Sequence, residues 1–518
     1  MKGYWLGMMS WCCCWASWSQ GQNIEWGTAY ERSSLFNQQQ IVQVAEEGIY
    51  VWQYYKDPQY YFKHKALYYD NQGNKIASEA PIQLDYQGQA GAYQASHFVG
   101  EQWQLYYTVP QPKAEKELLC QVQLNPQTLA LETNPQVITT IPYNKAKGGS
   151  AYRLGQSLQE QTLLYGVLPQ AKKKAAQLSL HLLNQEGTAL QSRQITVPQE
   201  AGLLSIEDVQ EAFLTSTGTV YLLCKFYHNK ARKEEKKLGM PYHFALLTVH
   251  EQGEVTWKDS LSILSPEDSA WVVSAHLYEH QGAIYCVGTY KKPISGGFFQ
   301  WSMATTEQVL TLDYPTRLWQ EEQQQKSKKV GLQNHRIKQW LPQADGSYLA
   351  IAEQHYIKVY WDKSEGQQTL HHLKDILLVK WDEEGQLLWY HNIDKHQKGG
   401  GEGYTSMKET WYSFAALQKE GQVHVFYNEL PDNDPEELKL GYYNQPKALD
   451  CWHYQINEEN GELIKAQPLE VEKEWLLYPQ KIQLLPNGQV LLVALKRATS
   501  AKEKALLRWG YYALDATK

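Results

Sequence analysis

The stretch Lys374-Asp-Ile-Leu-Leu-Val-Lys-Trp-Asp-Glu-Glu-Gly-Gln-Leu-Leu-Trp-Tyr-His-Asn-Ile393 reads as strand, tight turn, strand. Aliphatic and aromatic residues fill both arms, and Asp382-Glu-Glu-Gly385 supplies a turn in which glycine takes the positive φ that other residues resist. Relatives of this hairpin recur as Tyr69-Asp-Asn-Gln-Gly73, Leu183-Asn-Gln-Glu-Gly187, Val249-His-Glu-Gln-Gly253 and Ile456-Asn-Glu-Glu-Asn-Gly461. Leu124-Asn-Pro-Gln and Ala304-Thr-Thr-Glu are versions without the glycine. A second signal, a turn leading into an alternating strand, comes before each of them. It appears at Glu47-Gly48, Gly100, Glu160, Gly218, Gly282, Asp345-Gly346, Glu420-Gly421 and Asn487-Gly488.

Two hairpins per unit make a four-stranded meander. Eight units start near residues 38, 91, 150, 205, 270, 334, 410 and 478. Consecutive meanders without helical periodicity predict an all-β fold, a β-propeller of four-stranded antiparallel blades. Radial repetition of this kind protects sheet edges. Eight blades fit the count, with seven as the alternative. Two β-sandwich or propeller domains in series are the runner-up, but no Pro/Gly/Ser linker separates them. A polar run at 320–329 reads as a loop.

The chain has 518 residues, a net charge of -7 and 43% hydrophobic residues, with 36 Tyr and 19 Trp. Mild acidity argues against a nucleic-acid partner. Residues 1–22 pair one Lys with an apolar run of about a dozen residues followed by small and polar ones, which is the layout of a cleaved secretory signal. Residues 23–518 then form the propeller domain. Cys12, Cys13 and Cys14 raise a lipoprotein reading, which bulky Trp11 opposes. No later run is long enough to span a membrane, leaving peripheral outer-membrane association as an option. Cys120, Cys224, Cys286 and Cys451 lack metal-site spacing and read as small buried hydrophobes. In an exported chain they could also pair, in combinations that spacing does not select.

Propeller strands run outward from the axis as A to D. The A–B and C–D turns share one face, trimmed by glycines. Long segments gather on the other: 56–63, 110–116, 169–174, 228–242, 291–297, 353–375, 429–450 and 497–504. Loops on a rigid scaffold are where binding resides. This face offers Lys230, Arg232 and Lys233 with the aromatics Tyr356, Tyr360, Trp361, Tyr442 and Tyr443, a set suited to an envelope protein or an anionic glycan. Residues opening the inner strands, Tyr152, Glu207, Asp208, His335, Arg336 and Lys481, are placed at the mouth of the central channel. A solvated channel accounts for their polarity as well as a site does.

Asp432 and Asp434, with Asn433, are oxygen ligands at close spacing and make a weak Ca²⁺ candidate, since the EF-hand glycine and distal Glu are missing. No other cofactor is indicated. His371-His372, His391 and His396 are the densest histidine set, but adjacent strand residues point to opposite faces and do not share a metal. No nucleophile elbow, zinc helix or phosphate loop is present.

Gly253-Glu-Val-Thr-Trp257 and Gly385-Gln-Leu-Leu-Trp389 resemble the tryptophan-bearing turns of quinoprotein-like propellers. That resemblance implies Trp packed between blades and carries over no quinone site. The sialidase Asp-box is unmatched. Residues 374–433, through Asp375-Ile-Leu-Leu-Val-Lys-Trp-Asp-Glu-Glu-Gly-Gln-Leu-Leu-Trp389, Ile393-Asp-Lys-His-Gln397 and Val425-Phe-Tyr-Asn428, resemble uncharacterised exported propeller proteins of Bacteroidetes-type bacteria. The resemblance implies fold and export, in the periplasm, at the cell surface or secreted, and no catalytic residues. The sequence therefore predicts a non-catalytic scaffold. The alternative is an enzyme at the channel mouth, either a carbohydrate lyase or hydrolase or a quinoprotein-like oxidoreductase.

Overall fold

A computed structural model describes residues 24–514, except 32–37, 46–47, 55–63, 71–73, 79–80, 144–149, 158–160, 169–176, 198–207, 228–241, 259–270, 293–295, 304–308, 315–333, 363–365, 401–411, 430–449, 473–474 and 497–505. Eight sheets built on four-stranded antiparallel meanders follow one another along the chain; those of blades four and six carry a fifth strand and that of blade eight two further short ones. Their inner strands start at Gln38, Ala92, Ala151, Val209, Trp271, His335, Phe414 and Trp475, close to the positions the repeat predicts. The fold is an eight-bladed β-propeller.

The turns follow the chemistry of their residues. Gln281–Gly282 and Glu420–Gly421 both adopt positive φ, the two-residue turn that matches strand twist. At the C–D turn of blade six, Gly385 has φ 83° and its amide donates to the Asp382 carbonyl at 3.1 Å. Register slips by one residue between Lys380 and Trp381, so the turn carries a bulge.

No single core fills the molecule. Among the described residues, buried apolar side chains form eight clusters, each spanning a junction between neighbouring blades, with Leu373 and Tyr412 joining the one between blades eight and one. Trp389 shows how. Its indole donates to the Glu458 carbonyl of blade seven at 3.1 Å. A Cβ on Gly461, the αL glycine of that blade's C–D turn, would lie 2.5 Å from the Trp389 ring. The tryptophan is thus an inter-blade packing residue. Trp257 packs edge-on against Phe226 in the cluster shared by blades three and four.

Inner strands diverge toward the channel and cannot share a full ladder, so side chains bridge them. Gln40 donates to the Ser96 carbonyl at 3.5 Å, and Gln94 accepts from the Tyr152 amide at 3.0 Å. Glu211 accepts from the Leu277 amide, Ser274 from the Ile337 amide, and Gln339 donates to the Ala416 carbonyl. Between blades three and four, Gln156–Ser157 instead pairs in parallel with the inner strand of blade four.

The ring closes with a strand that the sequence repeat does not reveal. Blade eight draws three strands from the C-terminal unit, and its fourth is Ile24–Trp26, antiparallel to Leu506–Ala513. Arg508 is buried between the Trp26 and Trp475 rings, 4.2 and 4.1 Å from their centroids, and its guanidinium donates to Glu472 at 2.8 Å. The four cysteines among the described residues are free and buried in four different blades, and burial pushes the Cys120 and Cys451 thiols up to about 12. Replacing Trp26 with Ala removes half of the Arg508 clasp and is expected to cost about 2–3 kcal/mol. Urea unfolding against wild type measures this.

Candidate functional site

Residues 353–375 are expected to be a long loop, and here the structure corrects the sequence reading. Strands B and C of blade six, Tyr348–Asp362 and Gly366–Trp381, continue pairing to Asp362↔Gly366 and project as a β-ribbon. Gln397–Gly400 adds a third strand along residues 370–373. The extension is strand because its backbone groups pair instead of seeking water or side-chain partners. The ribbon rises on the face of the B–C connections.

Its foot is a buried polar cluster. Glu353 and Lys395, each 0% exposed at the side chain, form an ion pair at 2.6 Å. Lys338, a bulge residue on the inner strand and 39% exposed, approaches Glu353 at 3.4 Å. Ser413 Oγ donates to the other carboxylate oxygen at 2.8 Å. Burial pushes the Glu353 carboxyl up, but the two ammoniums and these hydrogen bonds hold it below the ordinary carboxylate range. Lys395 also donates to Gln397 Oε1 at 3.2 Å, and Gln397 reaches the Asn428 carbonyl at 2.6 Å. Asn428 in turn bonds the amide and carbonyl of Leu477. One chain of polar contacts therefore ties the ribbon to blades seven and eight.

Histidines complete the foot. His355 Nε2 and His371 Nδ1 lie 3.2 Å apart, and His372 stacks on Tyr356 with centroids 4.5 Å apart. His371 and His372 thus serve opposite faces of the strand. Burial, and secondarily Arg336, lowers the His371 pKa to about 4. Burial first, then the Arg336 and Lys338 charges, coupling to His371 and the Lys395 charge, hold His355 well below its ordinary value. Among the described residues no group of three or more His, Cys, Asp or Glu is arranged to hold a metal ion. Chemically the cluster is a lock: its carboxylate is taken by ammoniums.

The remaining sequence candidates fall as follows. Tyr356 is half-buried on the ribbon, while Tyr360 and Trp361 lie further along the same strand. Tyr152, Asp208 and His335 are buried, Arg336 is half-buried beside the foot, and Lys481 ends a short 3-10 turn in blade eight. Glu207, Lys230, Arg232, Lys233, Asp432, Asp434, Tyr442 and Tyr443 lie outside the described residues.

A residue that sequence reasoning missed is Trp271, first in the inner strand of blade five. At 41% exposure it is the one exposed aromatic among the described residues. Its cross-strand partner is Lys291, whose ammonium sits 5.6 Å from the indole centroid. Partial burial lowers the Lys291 pKa. The signal was present as an aromatic at a blade start, where a connection from the long-segment face enters the ring.

No protein family matches the chain, and no curated protein does. Solved structures resemble it at low identity. Quinohemoprotein alcohol dehydrogenase from Comamonas testosteroni shares 10% identity at a TM-score of 0.43, covering 96% of this chain and 77% of that one. The β-propeller domain of the Trilobed protease from Pyrococcus furiosus shares 9% identity at 0.34, covering 83% and 97%. Prolyl oligopeptidase B from Galerina marginata shares 9% at 0.36, covering 90% of this chain and 56% of that one, so the chain spans about half of that enzyme. Likeness this distant says nothing of activity. No described helix is long and apolar enough to cross a membrane.

Two outcomes follow. Glu353→Ala strands the Lys395 ammonium in the interior and is expected to cost about 3–5 kcal/mol, read by urea unfolding. The second concerns pH. Burial lowers His97, His181, His371 and His424 from 6.5 to about 4, and His453 to about 3. Below pH 6.5 the unfolded chain binds protons that the folded chain refuses. Stability is therefore complete above that value and lost as pH falls toward 4. The urea midpoint should be level from pH 8 to 7 and drop steeply between 6.5 and 4.

Proposed function

We propose that this protein is an exported, non-catalytic propeller scaffold that binds a protein or glycan of the cell envelope through its long-segment face. The observation that carries this is the blade-six ribbon, a three-stranded projection footed in a buried ion pair and wired to blades seven and eight. Burying paired charges is a weak route to stability, but it fixes geometry. A scaffold that must present a surface gains from that.

The foot also argues against catalysis there. Glu353 is enclosed by cations, and the neutral His355–His371 pair is buried. A general acid or base needs contact with substrate. Peripheral association with the outer membrane, through a bound partner, fits the same reading.

The test shortens the ribbon by joining His355 to its cross-strand partner Leu373 through a two-residue Asn-Gly turn. The expected result is an unchanged β-sheet circular dichroism spectrum with loss of partner capture from native envelopes and of signal on glycan arrays. Undiminished capture, or turnover of an array glycan by the wild-type chain, contradicts the proposal.

A further inference from the structure

We propose that Trp271 and Lys291 form a subsite for an anionic saccharide, a pyranose bearing carboxylate or sulfate, at the inner rim of blade five. The inference rests on the reading of the long-segment face as the binding face and names the ligand class for part of it.

The chain is rich in aromatics, and nearly all the described ones are packed inward. Large aromatics belong in cores because exposure forfeits their burial. Trp271 stands apart from that pattern. It lies where the inner strand begins, on the face that also carries the ribbon. Its indole offers a flat apolar surface with a polar N–H edge.

The strand register sets one cation beside it, and two further lysines rest on rings of the same or the neighbouring blade. Lys291 faces Trp271 directly across strands A and B. Lys292 follows, its ammonium 5.7 Å from the Tyr290 ring. From blade four, Lys225 lies 3.7 Å over the Tyr242 ring, and Tyr242 donates to the Val273 carbonyl, two residues from Trp271. An aromatic face attracts an ammonium, which favours these placements.

A ligand matching this set needs a rigid apolar face and an anion on the same unit. The C–H face of a pyranose stacks on an indole while a ring carboxylate or sulfate reaches a lysine. Acidic peptides bring charge without the rigid face. Nucleotides bring a stacking face and phosphate, and the oligo-dT arm of the test separates them from an anionic saccharide.

The test uses the full chain and affinity electrophoresis through gels holding polygalacturonate, dextran sulfate, plain dextran, poly-glutamate or oligo-dT. Wild type should be retarded by polygalacturonate or dextran sulfate, and which one identifies the anion. Dextran, poly-glutamate and oligo-dT should have no effect. Trp271→Ala should weaken binding at least tenfold, Trp271→Phe less than threefold, and Lys291→Gln about fivefold with a shallower salt dependence. Since Trp271 is exposed, Trp271→Ala should keep the wild-type melting temperature. Binding unchanged in Trp271→Ala overturns the proposal. So does equal binding of poly-glutamate or oligo-dT, or no retardation of wild type. If the shortened ribbon abolishes partner capture while Trp271→Ala leaves it intact, the face reading survives and this subsite falls.

Discussion

A propeller is a row of sheets that must be bent into a ring, and this one depends on how the ring shuts. Strand Ile24–Trp26 lies on the last C-terminal strand, and Arg508 between two indoles holds it there. Without it, blade eight would leave Leu506–Ala513 as an open edge and the outer wall of its cluster would be missing. Each cluster spans a junction between neighbouring blades, so a gap at one junction weakens its neighbours. Closure fixes the ring's circumference, and that in turn fixes where every connection emerges.

The two faces differ because their connections differ. Glycine turns shorten one. The other face carries the blade-six ribbon and Trp271. At the ribbon's foot Glu353, Lys395, Gln397 and Asn428 form a buried polar cluster that links three blades. Buried charge of this kind is costly unless fully paired, and here it is paired on every side. Leu373 and Tyr412 extend the same support, packing in the cluster shared by blades eight and one.

Much of the fold is legible in sequence because glycine turns and alternation repeat with a fixed order. Gly385 and Trp389 announce a hairpin and an inter-blade contact, and both occupy those roles. The closing strand is illegible as a repeat, because Ile24–Trp26 is separated from its partners by the whole chain. The ribbon is misread as loop because Gln, His and Lys there break the apolar alternation. Pairing is satisfied by backbone, whatever the side chains. The site is less legible still. Glu353 and Lys395 meet across 42 residues, and their meeting follows from the ribbon, which the sequence does not predict.

The account holds that one rigid body, closed by its first strand, presents a fixed ribbon. Native-state hydrogen exchange on the whole chain tests this most directly. It predicts that the Glu25 and Trp26 amides and the paired amides of 355–362 and 366–373 exchange as slowly as Val423, Val425 and Phe426 in blade seven. Exchange of the ribbon or the closing strand at the rate of an unprotected loop would contradict it.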